Sequence, residues 1–241
     1  MKSIKVFTPV QSKFTDRYLA VREKEGFLIS DEVVRSLPNP PKGTPQYEQW
    51  KLRGINSKRF CRYVEDNNSF HHILELGCGN GWFAHEIAKV SSAKVLGLDI
   101  NLPELEQANR VFSLENLEFG IGDIFNATFA QKFDLIVLNA AVQYFPKFDQ
   151  LIERLESLMS NTGEIHLLDT HFYANSQESN KAKSRTEKYY EDLSEAEMSP
   201  HYFHHTMNDL RDFELIEGPP RVLPNFWKKK SPFDWYRLRL T

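Results

Sequence analysis

Glu75, Gly77, Gly79 and Gly81 stand in the run ILELGCGNGW, residues 73–82, behind an apolar lead-in. Glycine in ordered structure costs about 0.5–1 kcal/mol against alanine, so three of them in alternation need a compensating use. Either the backbone turns where a Cβ would clash, or a ligand rests on it. About twenty residues on, Asp99 ends a second apolar run, AKVLGLDI, as an acid that binds ribose hydroxyls should. These residues have the types and spacing to hold a nucleoside. Dinucleotide loops read G-x-G-x-x-G and set a pyrophosphate on a helix N-terminus. Here the glycines read G-x-G-x-G, and Glu75 precedes them. A carboxylate repels a pyrophosphate and welcomes an ammonium or a sulfonium. The pattern leans away from NAD and toward a cationic nucleoside.

The elements that must position these residues follow from periodicity. HILEL, AKVLGLDI, LEFGIGDI, KFDLIVLNA and GEIHLLDT read as strands, the last opened by Gly163. Between them GWFAHEIAKV and LPELEQANRVF read as helices, the second with Asn101 and Glu104 spaced like a capping box. FDQLIERLESLM carries Phe148, Leu151, Ile152, Leu155, Leu158 and Met159 on one helical face. Strands alternating with helices imply a parallel, doubly wound sheet covered on both faces. Its ligand crevice lies at the carboxyl ends of the strands, where the glycines fall.

Outside this core the reading is coarser. Residues 1 to about 45 look irregular and end in the proline-rich LPNPPKGTP, an extended linker, with Thr44 and Pro45 as N-cap and first residue of a helical segment. Tyr47, Trp50, Cys61 and Val64 recur there at helical spacing. After Thr170 a polar stretch to Met198 is too long for an ordinary loop, and its KAKSRTEKYYEDL has helix-forming composition. Ser199-Pro200 then reads as the cap of another helix, with Phe203, Met207 and Leu210 facing inward. FELIE and FDWYRLRL close the chain as strands, the latter alternating like an edge strand.

The core resembles the class I S-adenosylmethionine-dependent methyltransferases. ELGCGNG is similar to their first motif, LDIN with Asp99 and Ile100 to the ribose-binding segment, and GIGDI with Asp123 and Ile124 to the adenine-contacting one. LIVLNAAVQYF and GEIHLLDT match the fourth and fifth strands, so the likeness covers about residues 70–170 well. It implies a Rossmann-like α/β fold with a seven-stranded sheet whose last strand is antiparallel. It divides the chain into an N-terminal extension with helices, 1–69, and a methyltransferase domain, 70–241, with a lid-like insertion over 171–198. It implies S-adenosyl-L-methionine as cofactor. Gly77, Gly79 and Gly81 would pass beneath the methionyl and ribose portion, with Glu75 beside them. Asp99 would bind the ribose, Asp123 and Ile124 the adenine, and Asn139 would lie near the methionyl group.

Methyl transfer from a sulfonium needs chiefly alignment and exclusion of water, with a general base only where the acceptor must lose a proton. No catalytic residue is therefore singled out. NAAV stands where enzymes acting on amino groups of bases or of glutamine carry an Asn/Asp-Pro-Pro-aromatic motif, and no Pro-Cys pair offers cytosine chemistry. What remains resembles the branch acting on small molecules, ahead of protein and RNA substrates, and His171, Tyr189 and Tyr190 are the acceptor-contact candidates. His201, His204 and His205 would share a helix face but lack a carboxylate at matching spacing, so no metal is expected. The competing readings are an S-adenosylmethionine-binding protein without catalysis and an NAD-dependent oxidoreductase.

The totals agree with an ordinary soluble globular protein: 241 residues, 41% hydrophobic, 26% charged. A net charge of -3 offers no field for polyanions, which argues against nucleic acid, and Lys228–Lys230 reads as a solvated loop. Two cysteines, Cys61 and Cys78, form no CxxC or disulfide framework, and Cys78 reads as a packed side chain. No secretory leader and no apolar run of membrane-spanning length is legible, so the expected compartment is the cytoplasm.

Overall fold

The computed structural model describes residues 2–9, 13–217 and 233–240. Lys228–Lys230 lie outside the described residues. The elements run in chain order as strand β1 (Lys5–Val6), helices α1 (Lys13–Lys24), α2 (Asp31–Ser36) and α3 (Tyr47–Asp66), then β2 (His72–Leu76), α4 (Trp82–Val90), β3 (Lys94–Asp99) and α5 (Leu102–Val111). They continue with β4 (Leu117–Ile121), β5 (Phe133–Asn139), α6 (Phe148–Glu156), β6 (Met159–Leu168), α7 (Ser176–Asp192), β7 (Glu214–Glu217) and β8 (Trp235–Arg239).

The strands form one sheet in the order β1-β4-β3-β2-β5-β6-β8-β7. Strands β1 to β6 pair in parallel, and β8 runs antiparallel to both β6 and β7. Side chains alternate between two cores. Ile73, Val95, Leu135 and Val137 join α3, α4 and α5 on one face. Leu74, Leu96, Ile136 and Leu138 meet α6 on the other. Near-continuous apolar strands are what a sheet covered on both faces requires. The order reverses at β2, which pairs with β3 on one side and β5 on the other, so the crevice opens at the carboxyl ends of these three strands.

Several expectations change. Seven strands become eight, because Lys5–Val6 adds to the free edge of β4. The first 45 residues are not irregular but carry α1 and α2. α3 begins at Tyr47, capped by Gln46 in the left-handed region, not at Thr44-Pro45. α6 stops at Glu156, and Met159 already pairs with Phe133 as the start of β6. β8 is interior, flanked by β6 and β7, so its alternation marks two covered faces and not an edge. Among the described residues no α-helix follows Ser199-Pro200: the chain makes 3-10 turns at Ala196–His201 and Met207–Leu210 joined by extended backbone. That backbone is committed elsewhere, since Phe203 N–H donates to the Gln143 carbonyl and Tyr173 bridges to Thr206. Of its expected inward residues, Leu210 is buried, Phe203 half-buried and Met207 exposed.

Candidate functional site

The glycine loop joins β2 to α4 with φ of +77°, +49° and +73° at Gly77, Gly79 and Gly81, a region that side chains other than glycine disfavour. The three serve different ends. A Cβ on Gly77 would meet that of Ala141 at 2.6 Å, and one on Gly81 would meet the Phe119 ring at 2.5 Å and Ala108 at 2.8 Å. Gly81 is thus a packing glycine beneath the N-terminus of α4. The nearest atoms to a Cβ on Gly79 belong to the Glu104 carboxylate, at 3.3 Å, and both residues line one recess.

Asp99 ends β3 and holds this loop. Gly79 N–H donates to its Oδ2 at 2.8 Å and Asn101 N–H to its Oδ1 at 2.9 Å. The Ile100 amide also acts on this carboxylate, which still keeps a lone pair for a ligand hydroxyl. Asn101 precedes α5, but its side chain makes no cap to the backbone; Nδ2 donates instead to Glu104 Oε2 at 3.0 Å. The capping box expected there is absent, and Glu104 is turned into the cleft. Glu75 points from β2 toward α4, 2% exposed, and its Oε2 has no partner.

Three carboxylates therefore converge on one loop. Burial raises Glu75 well above the ordinary glutamate range, and it raises Asp99 as well. Glu104 is pushed up to about 7 by burial and by the Asp99 charge beside it. An acidic cluster with an orphaned buried oxygen is costly until a cation answers it.

Two connected spaces hold these groups. An outer cleft of about 720 Å³ is lined by Gly77, Asp99, Ile100, Asp123, Ile124 and Phe145, among others. An inner recess of about 90 Å³ is lined by Glu75, Gly77, Gly79, Glu104 and Asn139. Asp123 lines the outer cleft while also tying its own turn, accepting from Phe125 N–H at 3.0 Å and Asn126 Nδ2 at 2.6 Å. Thr8, beyond β1, accepts the Asp123 amide at 2.8 Å and closes that end.

Among the sequence candidates, Glu75, Gly77, Gly79, Asp99, Ile100, Asp123, Ile124 and Asn139 come together around this cleft, whereas Gly81 does not line it. A third space of about 490 Å³ adjoins the inner recess and includes Tyr189 and Tyr190. Tyr190 is buried and Tyr189 exposed, its hydroxyl donating to Glu25 Oε1 at 2.6 Å. His171 is exposed against Tyr173 and lines none of the three spaces. His201, His204 and His205 share no helix face, and no group of three metal-binding side chains exists among the described residues. Cys78 is buried and free.

Sequence reasoning missed the roof of the site. Tyr18 of α1 and Tyr144 after β5 line all three spaces, and Arg22 and Arg53 line the inner recess and the third space. The signal was present as Phe14, Tyr18 and Val21–Arg22, spaced for one helical face.

Residues 67–217 match the family model described as a methyltransferase domain. The chain belongs to that family. Its cofactor is S-adenosyl-L-methionine, and the acid-lined recess fits it, since Glu75 and Glu104 offer charge to an ammonium and a sulfonium. A malonyl-[acyl-carrier protein] O-methyltransferase of Ilyobacter polytropus is 30% identical over 130 residues, 53% of this chain and 50% of that protein. A trans-aconitate 2-methyltransferase of Deinococcus radiodurans is 33% identical over 111 residues, 46% of this chain and 42% of that one. The chain thus spans about half the length, or less, of these curated relatives. Among solved structures, a plantazolicin methyltransferase in complex with a triazolic analogue and S-adenosylhomocysteine aligns with a TM-score of 0.55 at 16% identity, over 95% of this chain and 98% of that one. This last likeness shows the fold.

Proposed function

We propose that the chain transfers the methyl group of S-adenosylmethionine to a small-molecule acceptor bound in the third space. The observation that carries this reading is continuity: Tyr18 and Tyr144 border the cofactor cleft and the adjoining 490 Å³ chamber alike. A cofactor lying over Gly77–Gly79 would present its reactive end toward that chamber. The named activities of the curated relatives, on a malonyl carrier and on trans-aconitate, support an acceptor of metabolite character.

The cofactor supplies a methyl group already activated on sulfur. What this chain supplies is position and dryness. Asp99, held in place by the Gly79 amide, fixes the ribose end, and Glu75 with Asn139 receives the methionyl end. The roof of α1 and α7 over the chamber excludes water. We assign residues 171–198 the role of this roof's outer half, a lid-like insertion, and residues 1–69 the inner half.

Titration calorimetry tests the reading. S-adenosylhomocysteine should bind and NAD should not. Asp99→Ala should weaken S-adenosylhomocysteine about ten- to a hundredfold, from the loss of charge-assisted hydrogen bonds worth about 1.5–3 kcal/mol. If S-adenosylhomocysteine does not bind, the reading falls. If it binds but labelled methyl passes to no component of a metabolite extract, the chain binds the cofactor without catalysis.

A further inference from the structure

The chamber beside the cofactor recess has an unbalanced charge. Arg22 of α1 and Arg53 of α3 both line it, flanking Phe27 with guanidinium carbons 3.6 and 5.2 Å from the ring centroid. Arg53 also lies 5.0 Å from the Trp50 ring. Arg22 is 15% exposed at its side chain; one Nη meets Glu25 at 3.2 Å, while its Nε is buried without a partner. Among the described residues no hydrogen bond or ion pair reaches the Arg53 guanidinium. Burial and the neighbouring Arg22 charge pull Arg53 below its ordinary value. Glu104 and Asp169 act on it only from beyond ion-pair distance. Arg53 is half-buried and Arg22 Nε is fully buried without a partner, a costly state that a bound carboxylate relieves with matching fork geometry.

Among the described residues that line the chamber, Glu25 is the one carboxylate. The chamber's phenols at Tyr18, Tyr144, Tyr190 and Tyr202 are held above their ordinary value by burial, so they remain protonated. Glu25 already binds Arg22 through Oε2 and the Tyr189 hydroxyl through Oε1. An amine would arrive as an ammonium beside three arginines, Arg22, Arg53 and Arg185, and the protonated phenols offer an alcohol no base. A carboxylate meets both conditions, being anionic and nucleophilic at neutral pH. The aliphatic lining is limited to Val21, Ala182 and Met198, among polar and aromatic groups, which suits a short polar acid and not a long acyl chain.

We propose that the acceptor is a small polar carboxylic acid, held by Arg22 and Arg53 and converted to its methyl ester. This rests on the methyltransferase reading above. A carboxylate oxygen forms the new O–CH3 bond with its lone pair as the C–S bond breaks, and that bonding pair stays on sulfur. No proton moves. The products are the ester and S-adenosylhomocysteine.

The experiment uses the full chain saturated with S-adenosylhomocysteine, whose binding is verified first and separately tests the methyltransferase reading. A panel of three- to six-carbon mono- and dicarboxylic acids is then titrated in calorimetrically, with the matched amides and amines as controls. At least one acid should bind ten times or more tightly than its amide. Arg53→Met, which keeps contact with Phe27 and Trp50, should remove that preference at unchanged melting temperature, and Arg53→Lys should restore part of it. With labelled S-adenosylmethionine, the product of the binding acid should release its label as methanol in base. The proposal is overturned if no acid binds, if amides or amines bind as well, if Arg53→Met leaves acid affinity within twofold, or if the label is stable to base.

Discussion

At Gly81 a Cβ would stand 2.5 Å from the Phe119 ring, whereas at Gly79 it would reach only a flexible carboxylate at 3.3 Å. Two glycines of one motif thus answer to different constraints. Gly81→Ala should lose roughly 2–4 kcal/mol of stability, from overpacking and a left-handed backbone. Gly79→Ala should lose only about 1–2 kcal/mol, the cost of the left-handed backbone, but its methyl group displaces Glu104 within the recess. Urea unfolding should therefore rank Gly81→Ala as the less stable variant, and calorimetry should rank Gly79→Ala as losing at least tenfold in S-adenosylhomocysteine affinity while still folded. The reverse ranking would mean that Gly79 shapes the fold and Gly81 the site. The alternation G-x-G-x-G announces that Cβ atoms are missing, and nothing in it separates a packing glycine from a ligand-facing one.

Among the elements, legibility followed burial. Strands β2 to β6 and helices α4 to α6 read clearly because each buries a continuous or one-sided apolar set, and the cleft residues at their ends came with them. The roof did not, because its contacts are sparse and polar. In α1 only Val21 is buried, and β1 is two exposed residues. Val21, Tyr190 and Met198 form a separate small cluster, with Phe14, Tyr18, Tyr144 and Tyr202 packed against it. The C-terminal ends of α7 and α1, with the residues just beyond them, are tied through Tyr189–Glu25 and Lys24–Glu195. Such a unit should open below the global unfolding free energy. Hydrogen exchange should find α1 and α7 exchanging together, faster than β2 to β6, and slowed by S-adenosylhomocysteine, because Tyr18 and Tyr144 border its cleft. Tyr190→Ala should accelerate exchange in both helices and leave the sheet unchanged. Acceleration in α7 alone would show that the two helices are not one unit, and that residues 171–198 act as an independent lid.

Over the whole molecule the buried carboxylates oppose one another in their response to pH. Glu164 is lowered to about 2: burial works against this, but hydrogen bonds from His166, Tyr63 and Arg239 outweigh it. Its contribution is fully present above about pH 4.5, is lost as pH falls toward 2, and amounts to no more than about 2 kcal/mol because Arg239 is half exposed. Glu104 has the opposite sign. With a folded value of about 7, the folded chain binds its proton more tightly than the unfolded chain does. Stability is therefore fully present below about pH 4.5 and is lost as pH rises toward 7, by up to about 3 kcal/mol. His85, His166, His204 and His205, all lowered by burial, favour the folded state as pH rises, so the parent curve is a sum. Subtracting it from the curve of Glu104→Gln isolates the carboxylate. The variant's advantage should grow from pH 4.5 to 7 and then level off, with Gln still accepting from Asn101. The same proton links stability to function. A sulfonium beside Glu104 favours its ionised form, so S-adenosylmethionine should bind more tightly as pH rises through about 7. S-adenosylhomocysteine, with a neutral sulfur, should gain less. Calorimetry of both ligands at pH 5.5 and 8.5 should show a steeper gain for the sulfonium in the parent and equal gains in Glu104→Gln. Equal gains in the parent would place the sulfur away from Glu104, and the recess would then serve the ammonium alone, through Glu75.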